Sequence, residues 1–341
     1  MRTLVTGATG FVGSHVARRL AASGETVRAL ARRGSQRQSL AGVEVEWVEG
    51  DLRDESSLVR ALAGIEQVYH VAADYRLWAR NPQEIYESNV TGTKNLLAAA
   101  LRARVQRFIH TSTVATIAVP RGNAVPDETN RTTVDEMIGN YKKSKLLAEQ
   151  EALRAAHEGL PVVIVNPTTP VGPGDWKPTP TGKIILDFLR GKMPAYIDTG
   201  LNFAPVEDVA EGHLQAARLG KIGERYLLGG RNMTLKELLD ALAKITNVAA
   251  PTRKISHSIA LFAAYADAAF SRVAGREPRI PLEGVRIARH TMFVSDSKAR
   301  QELGYQPGSV EGALERAVGW YAEHGYVNLP RRKQEARASA A

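Results

Sequence analysis

Tyr141 and Lys145, in the run Tyr141-Lys142-Lys143-Ser144-Lys145, are the residues whose types and spacing best suit chemistry. Four apart at the start of a helix-period run, they share one helix face. A free tyrosine titrates near ~10, too high for efficient proton transfer at neutral pH. A neighbouring ammonium stabilises the phenolate and turns the pair into an acid/base device. Such a spacing is common by chance, so its companions decide. Phe108-Ile109-His110-Thr111-Ser112-Thr113 reads as a strand ending in three hydroxyls. In an α/β sheet that end faces the ligand crevice, where Ser112 or Thr113 could hydrogen-bond a substrate oxygen beside the tyrosine. The sequence leaves open which of the two points inward.

A second constellation lies at the N-terminus. Thr6-Gly7-Ala8-Thr9-Gly10-Phe11-Val12-Gly13 follows a strand-like run and opens a helix. Glycine permits positive φ and close approach of a diphosphate, and a helix N-terminus offers free N–H groups. The spacing is G-x-x-G-x-x-G, not the standard G-x-G-x-x-G, and the plain alternative is a tight turn without a ligand. Gly7, Thr9, Gly10, Phe11, Val12 and Gly13 are the expected contacts. At the end of the second strand, Ala31 stands where many NAD enzymes carry an acid for the ribose 2′-hydroxyl, and Arg32 follows it. A guanidinium suits a 2′-phosphate, so NADP(H) is expected over NAD(H). The alternative is that Arg32 and Arg33 are solvated loop charges. Asp51, followed by Leu52, is placed to accept from an adenine amino group, or else to cap a helix.

Positioning these residues requires an alternating chain. Strands are expected at 3–6, 26–31, 43–48, 67–71, 107–112 and 161–165, with helices at 12–23, 56–63, 82–103 and 133–157. This is a doubly wound, Rossmann-type parallel sheet of class α/β. Residues 1–166 are expected to form the NADP-binding domain, completed by later strands around 203–228, Arg225–Leu228 among them. Residues 167–202 and 229–328 then form a smaller substrate-binding cap, with a long irregular loop from Asn166 to Thr181. Helices are expected at 234–246, 256–274, 297–302 and 310–324, and a flexible tail at 329–341.

Taken together, the glycine turn, the hydroxyl run and Y-x-x-x-K resemble the extended short-chain dehydrogenase/reductases over about residues 1–325. Asp51, the run His70-Val71-Ala72-Ala73, Asn89 in Asn89-Val90-Thr91-Gly92-Thr93, and Pro205–Ala210 fit as well. The resemblance implies Tyr141 as acid/base, Lys145 as its partner and Thr113, with Ser112 beside it, as the catalytic hydroxyl. It also implies Ala72, Ala73, Asn89, Pro167 and Thr169 beside the cofactor. Asn166-Pro167 replaces the Arg-Pro common in nucleotide-sugar epimerases and dehydratases, and Thr116-Ile117 replaces their Tyr-Gly. Those features look more like dihydroflavonol-4-reductase-like proteins. The runs 70–82, 177–182 and 194–202 are similar to hopanoid-associated sugar epimerases.

On the substrate side, Asp74, Tyr75, Arg76, Trp78, Asp175, Lys177, Tyr196 and Asp198 combine polar groups with aromatics, suited to a polyol, sugar-like or flavonoid-like small molecule. Three functions compete: an NADPH-dependent carbonyl reductase, a sugar epimerase that oxidises and re-reduces one carbon, and a non-catalytic NADP(H) sensor. Arg32 favours the reductase, because NADPH serves net reductions. Other classes fare worse. The 341 residues contain no cysteine and eight histidines without metal spacing, so no metal is expected. His110 reads as a strand residue near the site, and His15 as a packing residue. The net charge of +9 is spread along the chain apart from the basic tail at Arg331, Arg332, Lys333 and Arg337. No aromatic–basic stripe accompanies it, which argues against nucleic acid. No signal peptide and no transmembrane span are expected, and a cytoplasmic location is; the resemblance implies a homodimer paired through the helices at about 82–103 and 133–157. The apolar run 259–270, flanked by Arg253, Lys254 and Arg272, leaves peripheral membrane contact open.

Overall fold

The computed structural model describes residues 1–118, 124–274, 276–278 and 280–328. The basic tail and the flexibility expected of 329–341 lie outside them. In chain order the first half runs β1 (Arg2–Thr6), α1 (Phe11–Ala22), β2 (Thr26–Ala31), β3 (Glu46–Glu49), α2 (Glu55–Leu62) and β4 (Gln67–His70). Then come α3 (Gln83–Tyr86), α4 (Gly92–Arg102), β5 (Arg107–Thr111), α5 (Asn140–His157) and β6 (Val162–Pro167). The second half runs β7 (Thr169–Val171), α6 (Pro180–Leu189), β8 (Tyr196–Ile197), β9 (Gly200–Pro205), α7 (Val206–Leu219), β10 (Arg225–Leu228) and β11 (Arg231–Thr234). It closes with α8 (Leu235–Thr246), β12 (Lys254–Ile255), α9 (His257–Val273), α10 (Leu282–Ile287), α11 (Ser297–Leu303) and α12 (Val310–Glu323).

Seven strands form one parallel sheet in the order β10-β6-β5-β4-β1-β2-β3. The chain reverses direction of travel between β1 and β4, which opens a ligand crevice at the carboxyl ends of those strands. Alternation along each strand feeds two cores. Val5, Tyr69, Ile109 and Val163 pack with α1 and α7 on one face. Leu4, Val68, Phe108 and Val162 pack with α2, α4 and α5 on the other. Near-continuous apolar strands are what a sheet buried on both faces demands.

Three departures from the sequence reading have local causes. The helix that carries Tyr141 and Lys145 begins at Asn140, not near 133, because Gly139 has φ 88° and breaks the helix there. The stretch expected as one helix over 82–103 contains a widened π-turn at Glu87–Thr91. The expected irregular loop contains β7 and the start of α6, whose N-terminus is set by Thr179 as cap and Pro180 in the first turn. β10 pairs with β6 in the central sheet, whereas β9 lies between β7 and β11 in a second sheet. Around that second sheet, α6, α8 and α12 bury Phe188, Leu238, Leu242 and Leu314 as a separate apolar core.

Candidate active site

The glycine turn is sterically locked. Gly7 has φ 70°, and a Cβ there would lie 2.6 Å from the Ala72 nitrogen. One on Gly13 would lie 2.2 Å from the Gly7 carbonyl oxygen. Gly10 N–H donates to that oxygen at 2.8 Å, and no side chain caps α1, which opens at Phe11 and Val12. Thr6 fixes the opposite wall: its Oγ1 accepts from Ala72 N at 3.2 Å and bonds His70 Nδ1 at 2.8 Å. His70 Nε2 continues to Thr93 Oγ1 at 2.9 Å, and burial pushes this imidazole down to about 3, keeping it neutral. His110, as expected, is a buried strand residue, with its ring 5.5 Å from that of His70. His15 packs edge-on against Phe11 and reaches the Pro173 carbonyl oxygen at 2.9 Å.

Beyond the end of β2 lies a cavity of about 770 Å³ lined by Arg32, Arg33 and Arg60 and by Glu49, Asp51 and Asp54. Asp51 is gripped by Arg53 at 2.7 and 2.9 Å, which holds its carboxyl below the usual range. Asp54 caps α2. Ala31, buried at the strand end, brings no carboxylate of its own. Leu52 is fixed through its carbonyl by Asn95 at 3.1 Å.

Asn89 sits in the π-turn, and its amide is spent inside the protein. Its Oδ1 accepts from Asp74 N at 2.7 Å, while Nδ2 donates to the Asp74 carbonyl at 2.8 Å and to Ser144 Oγ at 2.9 Å. It thus ties the loop after β4 to the catalytic helix. Ala72 and Ala73 lie at the start of that loop; Pro167 ends β6 and Thr169 opens β7.

Tyr141 lies in the first turn of α5, buried and close enough to Thr113 to feel its hydroxyl. Burial raises its phenol above the ordinary value and the neighbouring Thr113 hydroxyl opposes that, so the protein alone keeps Tyr141 protonated. The lowering expected from Lys145 does not prevail. Lys145 is buried, donates to the Thr111 carbonyl at 2.7 Å, and is pushed down to about 8 by desolvation. The two candidate hydroxyls diverge. Thr113 Oγ1 meets Tyr141 and accepts from Ala115 N at 3.2 Å, while Ser112 Oγ donates to Glu149.

Glu149 was not singled out from the sequence. It gathers Ser112, Thr116 Oγ1 at 2.8 Å, Asn166 Nδ2 at 2.9 Å and Arg225 at 3.1 Å. The signal was present: Tyr141, Lys145 and Glu149 repeat every four residues along one face. Lys142 was also missed. Burial lowers it to about 8, and its Nζ lies 3.7 Å from Met292 Sδ.

The substrate candidates separate into groups. Asp74 holds Arg76 at 2.6 Å, and Arg76 reaches Glu84 at 3.0 Å. Tyr75 Oη donates to the Lys177 carbonyl at 3.4 Å, joining the loops after β4 and β7, and Trp78 is exposed. Asp175 is consumed by structure: buried, it accepts from Thr179 and from Tyr321 Oη at 3.0 Å. Tyr196 lies on β8 beside β12, and Asp198 pairs with Lys254 at 2.6 Å. No described helix is long and apolar enough to cross a membrane.

Comparison with known proteins agrees with this geometry. Residues 3–229 match the NAD dependent epimerase/dehydratase family. A putative dihydroflavonol 4-reductase of Synechocystis sp. is 45% identical over 327 residues, 95% of either chain. Sterol demethylase protein B of Methylococcus capsulatus is 37% identical, covering 96% of this chain and all of that one. The crystal structure of gox2253 superposes with a TM-score of 0.86 at 46% identity, covering 96% of this chain and 99% of that one.

Proposed function

This chain belongs to the NAD dependent epimerase/dehydratase family, and we propose that within it the protein is an NADPH-dependent reductase of a ketone or aldehyde. The observation that carries the reading is the end of β2, where Ala31 brings no carboxylate and Arg32 and Arg33 line the cavity. A 2′-phosphate would meet a fork of donors there, and a 2′-hydroxyl would find no acid from Ala31. The residues fit the dinucleotide: the Gly7 and Gly13 cradle has no room for a side chain, and Phe11 and Val12 open an uncapped helix. Gly10, Thr9, Asp51, Leu52, Ala72, Ala73, Pro167 and Thr169 complete the expected contacts, while Asn89 acts by holding the loop. When bound, the nicotinamide supplies a hydride to the carbonyl carbon.

The chain's own residues do the rest. Tyr141, protonated in this environment, donates its proton to the carbonyl oxygen. Thr113, its neighbour, polarises that oxygen, and Ser112 serves the Glu149 network instead. Lys145, one turn further along the same helix and held by the Thr111 carbonyl, would supply positive charge. Residues 1–166 with β10 hold the cofactor; 167–202 and 229–328 cover the substrate, with Asp74, Tyr75, Arg76, Trp78, Lys177 and Tyr196 at its rim. The two curated relatives are named for a flavonoid and a sterol reaction, which supports a substrate with a sizeable apolar body. A cytoplasmic homodimer is part of this reading on sequence resemblance alone.

Fluorescence titration with NADPH and NADH is the direct test. NADPH is expected to bind about ten- to a hundredfold tighter, the scale of one or two charge-assisted hydrogen bonds. Equal affinities would overturn the cofactor assignment. Stoichiometric oxidised nucleotide retained through purification would move the reading to an epimerase.

A further inference from the structure

The cap carries a surface that carbonyl reduction does not use. On α9, Ile259, Phe262, Tyr265 and Phe270 are 59, 76, 47 and 63% exposed. At 100° per residue these four fall within about 140° of rotation, one continuous stripe. The opposite side of the same helix is buried through Ala260, Ala264 and Ser271. The helix is therefore anchored on its small-residue side and shows its large apolar residues to solvent. Exposed apolar stripes of this kind mark an interaction surface.

Charge identifies what covers it. Arg286 lies 5.6 Å from the Tyr265 ring centroid and donates to its hydroxyl at 2.6 Å. Arg276 lies 5.2 Å from the Phe270 centroid, with Asp267 holding it at 2.8 Å. Exposed Arg253 and Arg272 flank the helix, and among the described residues neither they nor Arg286 have an ion-pair partner. A second copy docking face to face would set these guanidiniums against one another across a two-fold axis. A bilayer with anionic headgroups supplies the missing countercharge, and aromatics bordered by arginines are the composition of an interfacial helix.

We propose that the exposed face of α9 docks the protein on an anionic lipid bilayer, with Phe262 and Phe270 entering the interface and Arg253, Arg272 and Arg286 meeting the headgroups. α10 links this face to the helix that carries Tyr141. α10 packs against α9, and its Glu283 carboxylate accepts from Asn140 N at 3.4 Å, one residue before Tyr141. If the proposed function holds, a substrate with an apolar body would be delivered on the side of the molecule where α10 meets the start of α5.

Vesicle flotation of the full chain tests this without any turnover, so its outcome is independent of the reductase assignment. Vesicles of phosphatidylcholine alone are compared with vesicles containing phosphatidylglycerol, at low and high salt. The protein is expected to float with the anionic vesicles and to release at high salt. Phe262→Ser with Phe270→Ser should lower partitioning about tenfold or more while cofactor binding and circular dichroism stay unchanged. Arg272→Glu with Arg286→Glu should abolish the preference for anionic vesicles. Failure of the unaltered protein to float at low salt would overturn the proposal. So would serine variants that float equally well. A dimer that the serine pair turns into a monomer, with no vesicle binding, would reassign the face to self-association.

Discussion

On the floor of the cleft, Glu149, Ser112, Thr116, Asn166 and Arg225 form one buried network, and Glu149 is 2% exposed. At the rim, Asp74, Arg76 and Glu84 make an equally dense set of bonds, yet Arg76 and Glu84 have half of their side chains in water. The same chemical groups do different work in the two places. A buried carboxylate that loses its partners cannot be rescued by solvent, so the floor holds one geometry. An exposed pair is screened and exchanges partners at little cost, so the rim can be retuned for another substrate. The proposed proton transfer would sit on the floor, where Thr116 Oγ1 and Asn166 Nδ2 of that network both donate to the Thr113 carbonyl. The proposed substrate selection would sit on the rim.

The sharpest way to break this contrast is Tyr141→Phe. Turnover should fall about a thousandfold, the contribution of a positioned general acid, while NADPH affinity changes little. Turnover within a few-fold of the unaltered protein would remove Tyr141 from the chemistry. Next in size is Glu149→Ala. It leaves Arg225 buried without its carboxylate and frees the Ser112, Thr116 and Asn166 donors. Thermal unfolding should show a loss of about 3 kcal/mol, with Tm lower by several degrees. A loss below about 1 kcal/mol would mean that the floor is no stiffer than the rim.

A smaller effect comes from Lys145, whose folded value is about 8 against an ordinary 10.5. As pH rises through about 8, its ammonium is lost, so kcat/KM for carbonyl reduction should decline. Stability should move the other way. Between about 8 and 10.5 the unfolded lysine still binds a proton that the folded one has released, so unfolding takes up a proton and folding is favoured as pH rises. Lys142, also lowered to about 8, adds in the same direction. Rate and stability profiles across this window check the opposition; a rate flat to pH 10 would contradict it.

How far the sequence could be read follows the same division. The parallel sheet was legible because its strands are apolar on both faces and separated by helices, and the glycine turn because Gly7 and Gly13 admit no Cβ. Tyr141 and Lys145 were legible by spacing. The different surroundings of Thr113 and Ser112 were not, because both follow β5 and only the fold puts one beside Tyr141 and the other on Glu149. Asp175 looked like a substrate ligand because it sits in a Pro- and Gly-rich stretch, but its partners Thr179 and Tyr321 consume it. Tyr321 lies 146 positions away, beyond any local pattern. β7 was hidden because three residues carry no period.

The smallest expected effect sharpens the comparison from the other side. Arg76→Ala removes the bonds to Asp74 and Glu84, yet Arg76 has 45% of its side chain exposed and Asp74 keeps its backbone clamp to Asn89. Stability should change by about 0.5–1 kcal/mol or less, since solvent replaces an exposed ion pair. If the rim selects substrate, KM should rise several-fold with kcat nearly unchanged, the signature of lost uniform binding. A fall in kcat matching that in kcat/KM would place Arg76 with the proton-transfer groups, and the division between floor and rim would then run through the Asp74 loop instead of above it.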